Sequence, residues 1–232
     1  MKKLPLGGFI LLMLIAGSIV TAPPVQAQSA GLVSSIINRM ERNRRDLRSL
    51  RAEISMEKFN AQIGDNDKYQ GAVIYLPSAG RNANVRVDWQ RPQRETLVVT
   101  DGKFTLFRER LNMAYVGDAN SNRNKVSGVL GFGLNVTKQQ LATRFEQPQI
   151  LGQEMLGGGV QTWHMKLVPK GGAGYKHVEI WVSEDGMPVQ TKVVEKNDDA
   201  TTVRLSNVQR NVQIASGEFR LQLDSSVKKV RS

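Results

Sequence analysis

The sequence predicts a mainly β protein with few helices (α+β), an antiparallel sandwich or barrel. Three observations carry this. A single amphipathic helical stretch, about residues 30–47, precedes everything else. Short alternating apolar runs separated by turn residues then fill most of the chain, without the regular strand–helix–strand order of a parallel sheet. And Asp101-Gly102 lies between two apolar runs, residues 97–100 and 104–107, a strong short-range hairpin signal.

Of the 232 residues, the first 27 read as a targeting segment. Lys2 and Lys3 precede an apolar run over residues 4–20, and Val25-Gln26-Ala27 is an A-x-A-like cleavage site. A membrane-spanning helix is the rival reading, and Pro5, Gly7, Gly8 and Gly17 weaken it. Cleavage after Ala27 leaves residues 28–232, 205 in all, enough for one core and most simply one domain. The chain has no cysteine, so it can form neither an acylation site of its own nor a disulfide, and an exported form must rely on its core.

The formal net charge is +11, and it falls to +9 once Lys2 and Lys3 leave with the first 27 residues. Such a balance favours anionic partners. Export and the absence of any zinc-finger, helix-turn-helix or RNA-binding pattern argue against nucleic acid, which leaves a membrane surface or an acidic protein.

In the helical stretch and just past it, Leu32, Val33, Ile36, Ile37, Met40, Leu47 and Leu50 recur at roughly helical spacing. Its polar side carries Arg39, Arg42, Arg44, Arg45 and Arg48. They read either as a solvated face complementing the helix dipole or, with Arg42, Arg44 and Arg45 at its centre, as a basic docking face.

Beyond Arg51 the chain reads as strands. Ile54 and Met56, then Ala72, Ile74 and Leu76, then Val85, Val87 and Trp89 supply one-sided apolar faces. Arg91-Pro92 ends the third of these, since proline has no N–H for a ladder. Residues 64–67 form a turn without the spacing of a calcium loop. The hairpin is followed by a strand over residues 111–116. Further strands are expected over residues 161–168, 176–182, 188–194, 201–208 and 218–223.

The middle is different. Residues 126–134 are apolar and rich in glycine, without strand alternation. Thr137 and Gln140 have capping-box spacing, and Val136 can staple onto Leu141, so a short helix is expected over residues 138–145, ending before Pro148. Leu130, Phe132 and Leu134 must pack somewhere, each being worth roughly 1.5–3 kcal/mol when fully buried. They either plug the mouth of a sheet cavity as a lid or are plain core.

Candidate chemistry is sparse. His164 and His177, the two histidines, show no paired metal-ligand spacing and have no cysteine to complete a zinc site. No Gly-x-Ser-x-Gly elbow or P-loop is present. Glu184-Asp185 and Asp198-Asp199 sit in turn-like stretches and read as solvated. Asn135-Val136-Thr137 matches a glycosylation acceptor. Nothing suggests an enzyme or a cofactor.

Residues 85–107 carry a resemblance. The order apolar–Arg–apolar–x–Trp at Val85 to Trp89, then Pro92, then Leu97-Val98-Val99-Thr100-Asp101-Gly102-Lys103, resembles the periplasmic outer-membrane lipoprotein carrier family (LolA-type). Val178-Glu179-Ile180-Trp181-Val182 before Asp185-Gly186, and Phe219-Arg220-Leu221, extend the likeness over the mature chain. The resemblance implies a half-open antiparallel β-barrel with a helical and loop lid over a hydrophobic cavity. It implies a periplasmic carrier that binds the acyl chains of lipoproteins and ferries them from the inner to the outer membrane.

Its partners would be an inner-membrane lipoprotein-releasing transporter and an outer-membrane acceptor, and a monomer is expected. On this reading Ile54, Met56, Val87, Trp89, Leu97, Val99, Phe104 and Leu106 line the cavity, and Leu130, Phe132 and Leu134 form the lid. The alternatives are a carrier of another envelope lipid, a phospholipid or glycolipid, and a non-transporting envelope-stress sensor or interaction module on the same scaffold. The same apolar residues could also simply pack on one another as a closed core.

Overall fold

The computed structural model describes residues 25–77, 83–119, 134 and 136–231, with side chains from residue 30 onward. Helix α1 (Val25–Asp46) opens it. Six strands follow: β1 (Leu50–Asn60), β2 (Asp65–Leu76), β3 (Asn84–Arg91), β4 (Glu95–Thr100), β5 (Lys103–Arg108) and β6 (Met113–Asp118). Then come helix α2 (Lys138–Arg144) and strands β7 (Gln149–Leu156), β8 (Val160–Leu167), β9 (Tyr175–Ser183), β10 (Pro188–Glu195) and β11 (Ala200–Arg210). The last strand is β12 (Lys228–Arg231).

These twelve strands make one sheet in the order β12-β6-β5-β4-β3-β2-β1-β11-β10-β9-β8-β7. Two meanders, β1 to β6 and β7 to β11, are joined where β1 pairs antiparallel with β11. β12 pairs parallel with β6, and every other pair is antiparallel. The sheet is open, with β7 and β12 at its two edges. The fold is therefore mainly β, a half-open antiparallel barrel. No helix among the described residues is long and apolar enough to cross a membrane.

Local chemistry accounts for the joints. Asp101 and Gly102 both take positive φ, +50° and +74°, the primed turn whose twist matches two flanking strands. Thr137 accepts from the Gln140 N–H while the Gln140 side chain accepts from the Thr137 N–H, the predicted reciprocal cap on α2. At the β9–β10 turn Gly186 has φ +86°, and a Cβ there would lie 2.4 Å from the backbone C and O of Arg39. Helix α1 thus rests directly on that turn, and Arg39 Nη1 also donates to the Glu184 carbonyl at 3.2 Å.

The paired register gives each face its character, because residues directly opposed across neighbouring strands share a face. One row runs Ala52, Val73, Val87, Leu97, Leu106, Tyr115 across β1 to β6. A second runs Met56, Val203, Thr191, Ile180, Met165, Ile150 across β1 and β11 to β7. Both lie on the inner face. Ile36 and Met40 of α1 and Leu141 and Phe145 of α2 pack over the β8–β9 half, against Met165, Leu167, Val178, Ile180 and Val182.

The outer face of the first half is mixed, with buried Ile74 and Val98 in the same row as Arg86. Arg86 grips Asp88 with two bonds of 2.8 and 3.0 Å, and its Nη1 donates to the Glu218 carbonyl at 3.0 Å. Arg51 pairs with Glu218 at 2.7 Å. Those contacts strap the C-terminal tail across the outside of the sheet.

Several expectations need correction. Residues 218–223 are not a strand: Ser216–Phe219 is a 3-10 turn, and the tail's strand is β12. The strand after the hairpin begins at Met113 and not at Leu111, which sits in a 3-10 turn (Glu109–Leu111). On β2, Val73 and Tyr75 join the inner cluster, whereas Ala72 is exposed, so the inner face is the other set from the one expected. Strand β7 was not expected at all.

Candidate functional site

The inner face of the β1–β5 half is the candidate site. Ile54 and Met56 project from β1, Val87 and Trp89 from β3, Leu97 and Val99 from β4, and Phe104 from β5, all buried in one apolar cluster. Leu106 on β5 is half-buried and packs against it. So the structure brings all eight predicted lining residues together on one face. Tyr75, which the sequence reading passed over, lies among them, and burial pushes its phenol up to about 12. Its position inside an unbroken Val-Ile-Tyr run hid its face, since alternation is unreadable there.

Of the lid candidates, Leu130 and Phe132 lie outside the described residues. Leu134 is described, and it is buried within the same cluster as the lining. Between Leu134 and Val189, Val203 and Leu205 only about 10 Å³ of space is left, room for about one water. Beside Leu134 the described part of the face is thus close-packed.

The apolar rows end in a charged one. The row Ile54, Gly71, Trp89, Glu95, Arg108 places a carboxylate and a guanidinium next to Trp89 on the same face. Tyr69 meets Trp89 edge to face, ring centroids 5.8 Å apart. Lys58 Nζ stands over the Tyr69 ring at 5.3 Å and the Arg108 guanidinium over Tyr115 at 5.4 Å. Beside them opens a cavity of about 230 Å³ lined by Tyr69, Pro92, Gln93, Glu95, Arg108 and Leu111. Sequence reasoning missed this rim. The signal was there in principle: Arg108 ends β5, and the apolar alternation of β2 starts at Tyr69, after the polar residues 65–68.

The arginines of α1 divide. Arg44 makes two bonds to Glu41, at 2.8 and 3.2 Å, and Arg45 Nε donates to Glu41 at 3.1 Å. Glu41 also accepts the Lys138 N–H at 3.3 Å, and Lys138 Nζ reaches Asn38 at 2.9 Å. Glu41 therefore ties α1 to the start of α2. Arg44, with those other donors, holds the Glu41 carboxyl down at about 2. Arg42 and Arg45 are exposed, and Arg44 is half-buried. The predicted basic face is thus the exposed Arg42 beside Arg44 and Arg45, both of which are bonded to Glu41.

His164 points away from Trp163 and Met165, as alternation requires. Its ring stacks on Trp181 at 4.0 Å, and it shares Glu179 with His177, both at 3.0 Å. Trp181 Nε1 donates to Glu154 at 2.6 Å. Along β8 and β9, His164 and Trp181 take the face opposite Met165 and Ile180.

An open antiparallel half-barrel, with two helices among the described residues lying over part of its apolar inner face, defines the class of protein. The family is shown by its sequence model for the outer membrane lipoprotein carrier protein LolA, which matches residues 78–222. The chain belongs to that family. No curated protein matches the chain.

Among solved structures, an uncharacterised conserved protein from Thermus thermophilus is similar at 13% identity and TM-score 0.56, covering 87% of this chain and 99% of its own. MucB, of Pseudomonas aeruginosa, is similar at 14% identity and TM-score 0.55, covering 83% of this chain and 63% of its own. LprF from Mycobacterium bovis is similar at 12% identity and TM-score 0.51, covering 80% and 97%. At these identities the likeness establishes the shared fold.

Proposed function

We propose that this chain is a periplasmic carrier, not an enzyme. It shields the acyl chains of lipoproteins on the inner face of its half-barrel and ferries them from the inner to the outer membrane. The observation that carries the reading is the unbroken apolar row from Ala52 to Leu106, on the concave side of a sheet that does not close. Membership of the lipoprotein-carrier family supports it. Residues 1–27 act as the export signal, and cleavage after Ala27 leaves α1 starting at Gln28.

The energetics suit reversible loading. An acyl chain enters by displacing Leu134, which is buried within the apolar cluster. Exposing Leu134 costs about 1.5–3 kcal/mol, and each acyl methylene buried returns about 0.8 kcal/mol. About two to four methylenes therefore offset one displaced leucine, and the rest of a long chain supplies net affinity. No bond is made or broken. An inner-membrane lipoprotein-releasing transporter loads the carrier and an outer-membrane acceptor with a stronger apolar site unloads it.

A second reading has its own support. MucB shares the fold and has been seen in complex with MucA. An interaction module would keep the apolar face as a closed core and bind its partner elsewhere.

Native mass spectrometry of residues 28–232, purified from the periplasm without detergent, tests the proposal. A bound acylated protein establishes lipoprotein carriage, and a bound phospholipid or glycolipid reassigns the cargo. A bare protein that also refuses a triacylated peptide favours the interaction module.

A further inference from the structure

We infer that the 230 Å³ cavity beside Trp89 is a second, polar subsite that binds the peptide segment just after the acylated cysteine of the cargo. This inference rests on the carrier reading and names what that site recognises beyond acyl chains.

Position comes first. The cavity lies where the row holding Ile54 and Trp89 passes into Glu95 and Arg108, so it continues the apolar face. A cargo whose acyl chains lie along Val87, Leu97 and Leu106 would bring its polar end to this rim. At about 230 Å³ the space is smaller than the roughly 300–1,000 Å³ of sites that engulf a drug-sized ligand. It suits a few peptide groups.

Chemistry comes second. Arg108 Nε is shut off from solvent and lies 3.2 Å from Glu95 Oε1, yet no described residue accepts a hydrogen bond from it. Nε itself is out of a ligand's reach, but the side chain as a whole is 41% exposed and lines the cavity, so the Nη donors of the guanidinium can meet a ligand carbonyl. Stacking on Tyr115 holds the guanidinium in place. Glu95 adds an acceptor and Gln93 can both donate and accept. A peptide presents one donor and one acceptor per residue and is neutral, which matches that set. A phosphate headgroup presents acceptors only, and Glu95 would repel it. The exposed Leu111 gives the segment an apolar shoulder.

The test compares three probes of equal acyl length on full-length mature protein. They are an N-acetyl, S-diacylglyceryl cysteinyl tetrapeptide, a diacylglycerol and a phosphatidylethanolamine, each with two identical acyl chains and each titrated by displacement of a fluorescent fatty acid. The acylated peptide is expected to bind at least about tenfold more tightly than the diacylglycerol, the value of one hydrogen bond to a charged group. Arg108→Gln and Glu95→Gln should each remove most of that advantage and leave diacylglycerol affinity unchanged.

Equal affinities in the wild type would overturn the inference while leaving the carrier standing. An Arg108-dependent advantage for phosphatidylethanolamine would overturn it in favour of a phosphate site. Failure of all three probes would sink the carrier reading and the subsite together. Arg108→Lys keeps the charge and should lose the same selectivity, because the fork of Nη donors is gone. Unaltered selectivity in that variant would overturn the role given to the guanidinium.

Discussion

Tyr69 and Trp89 meet edge to face on the inner surface of the sheet, ring centroids 5.8 Å apart at 64°. The contact stands where the apolar rows give way to Glu95 and Arg108. It joins β2 to β3 at the rim and sets the boundary between the acyl-binding face and the polar mouth.

Trp89 is almost wholly buried, so truncation removes both packing and the ring contact. Trp89→Ala is expected to destabilise the fold by about 3–5 kcal/mol. Tyr69→Ala should cost clearly less, since Tyr69 is only half-buried. Urea unfolding followed by circular dichroism checks both, and equal costs would contradict the packing described.

Gly186→Ala should free α1 from the sheet. The new Cβ would meet the Arg39 backbone at 2.4 Å, at a residue with φ +86°. Backbone strain of this kind costs about 1–3 kcal/mol before the clash is counted. Hydrogen exchange should show lost protection in α1 with β1 to β5 unchanged. Full protection in α1 would place the helix elsewhere.

Glu41 makes stability depend on acid. Its folded pKa, about 2, lies below the unfolded 4.5, so the folded state holds the proton less tightly. The stabilisation is present above about pH 4.5 and is lost as pH falls toward 2. For so partly exposed a pair it amounts to roughly 1 kcal/mol. Glu41→Gln should lower stability at neutral pH and flatten the slope over that window. A slope identical to wild type would show that Glu41 does not link α1 to α2.

Arg42 and Arg45 carry the proposed docking. Reversing both to glutamate should weaken binding to vesicles containing anionic phospholipid, about fivefold or more for each charge. High salt should abolish the difference. Arg44→Glu should destabilise the protein more than Arg45→Glu, since both meet Glu41 and Arg44 is the less exposed. Unchanged vesicle binding in the double variant would return those arginines to an ordinary solvated face.

Much of this was legible in the residues. Alternation at Val85, Val87 and Trp89, and Asp101-Gly102 between apolar runs, placed β3, β4 and β5 and one face of each. The capping box at Thr137 placed α2. What stayed hidden had physical reasons. β7 exposes Leu151 and Met155, and a register shift falls beside Gly152, so neither burial nor alternation marked it. Phe219 and Leu221 alternate like a strand, but Arg86 takes the carbonyl of Glu218, and the segment lies across the sheet instead of pairing with it. β12 is a short Lys-Lys-Val-Arg run, and its parallel pairing with β6 bridges more than a hundred residues. The cavity at Arg108 combines three hairpins, and no local window of sequence spans it.

The central claim is that acyl chains lie against the inner face of β1 to β5. A variant carrying Trp163→Phe and Trp181→Phe leaves Trp89 as the sole tryptophan, and a triacylated peptide brominated midway along its chains is the quencher. The carrier account predicts stoichiometric quenching of Trp89 fluorescence as the peptide binds. Saturable binding, measured by native mass spectrometry, with Trp89 emission unchanged would contradict it, because the chains would then lie somewhere other than the face that Trp89 helps to form.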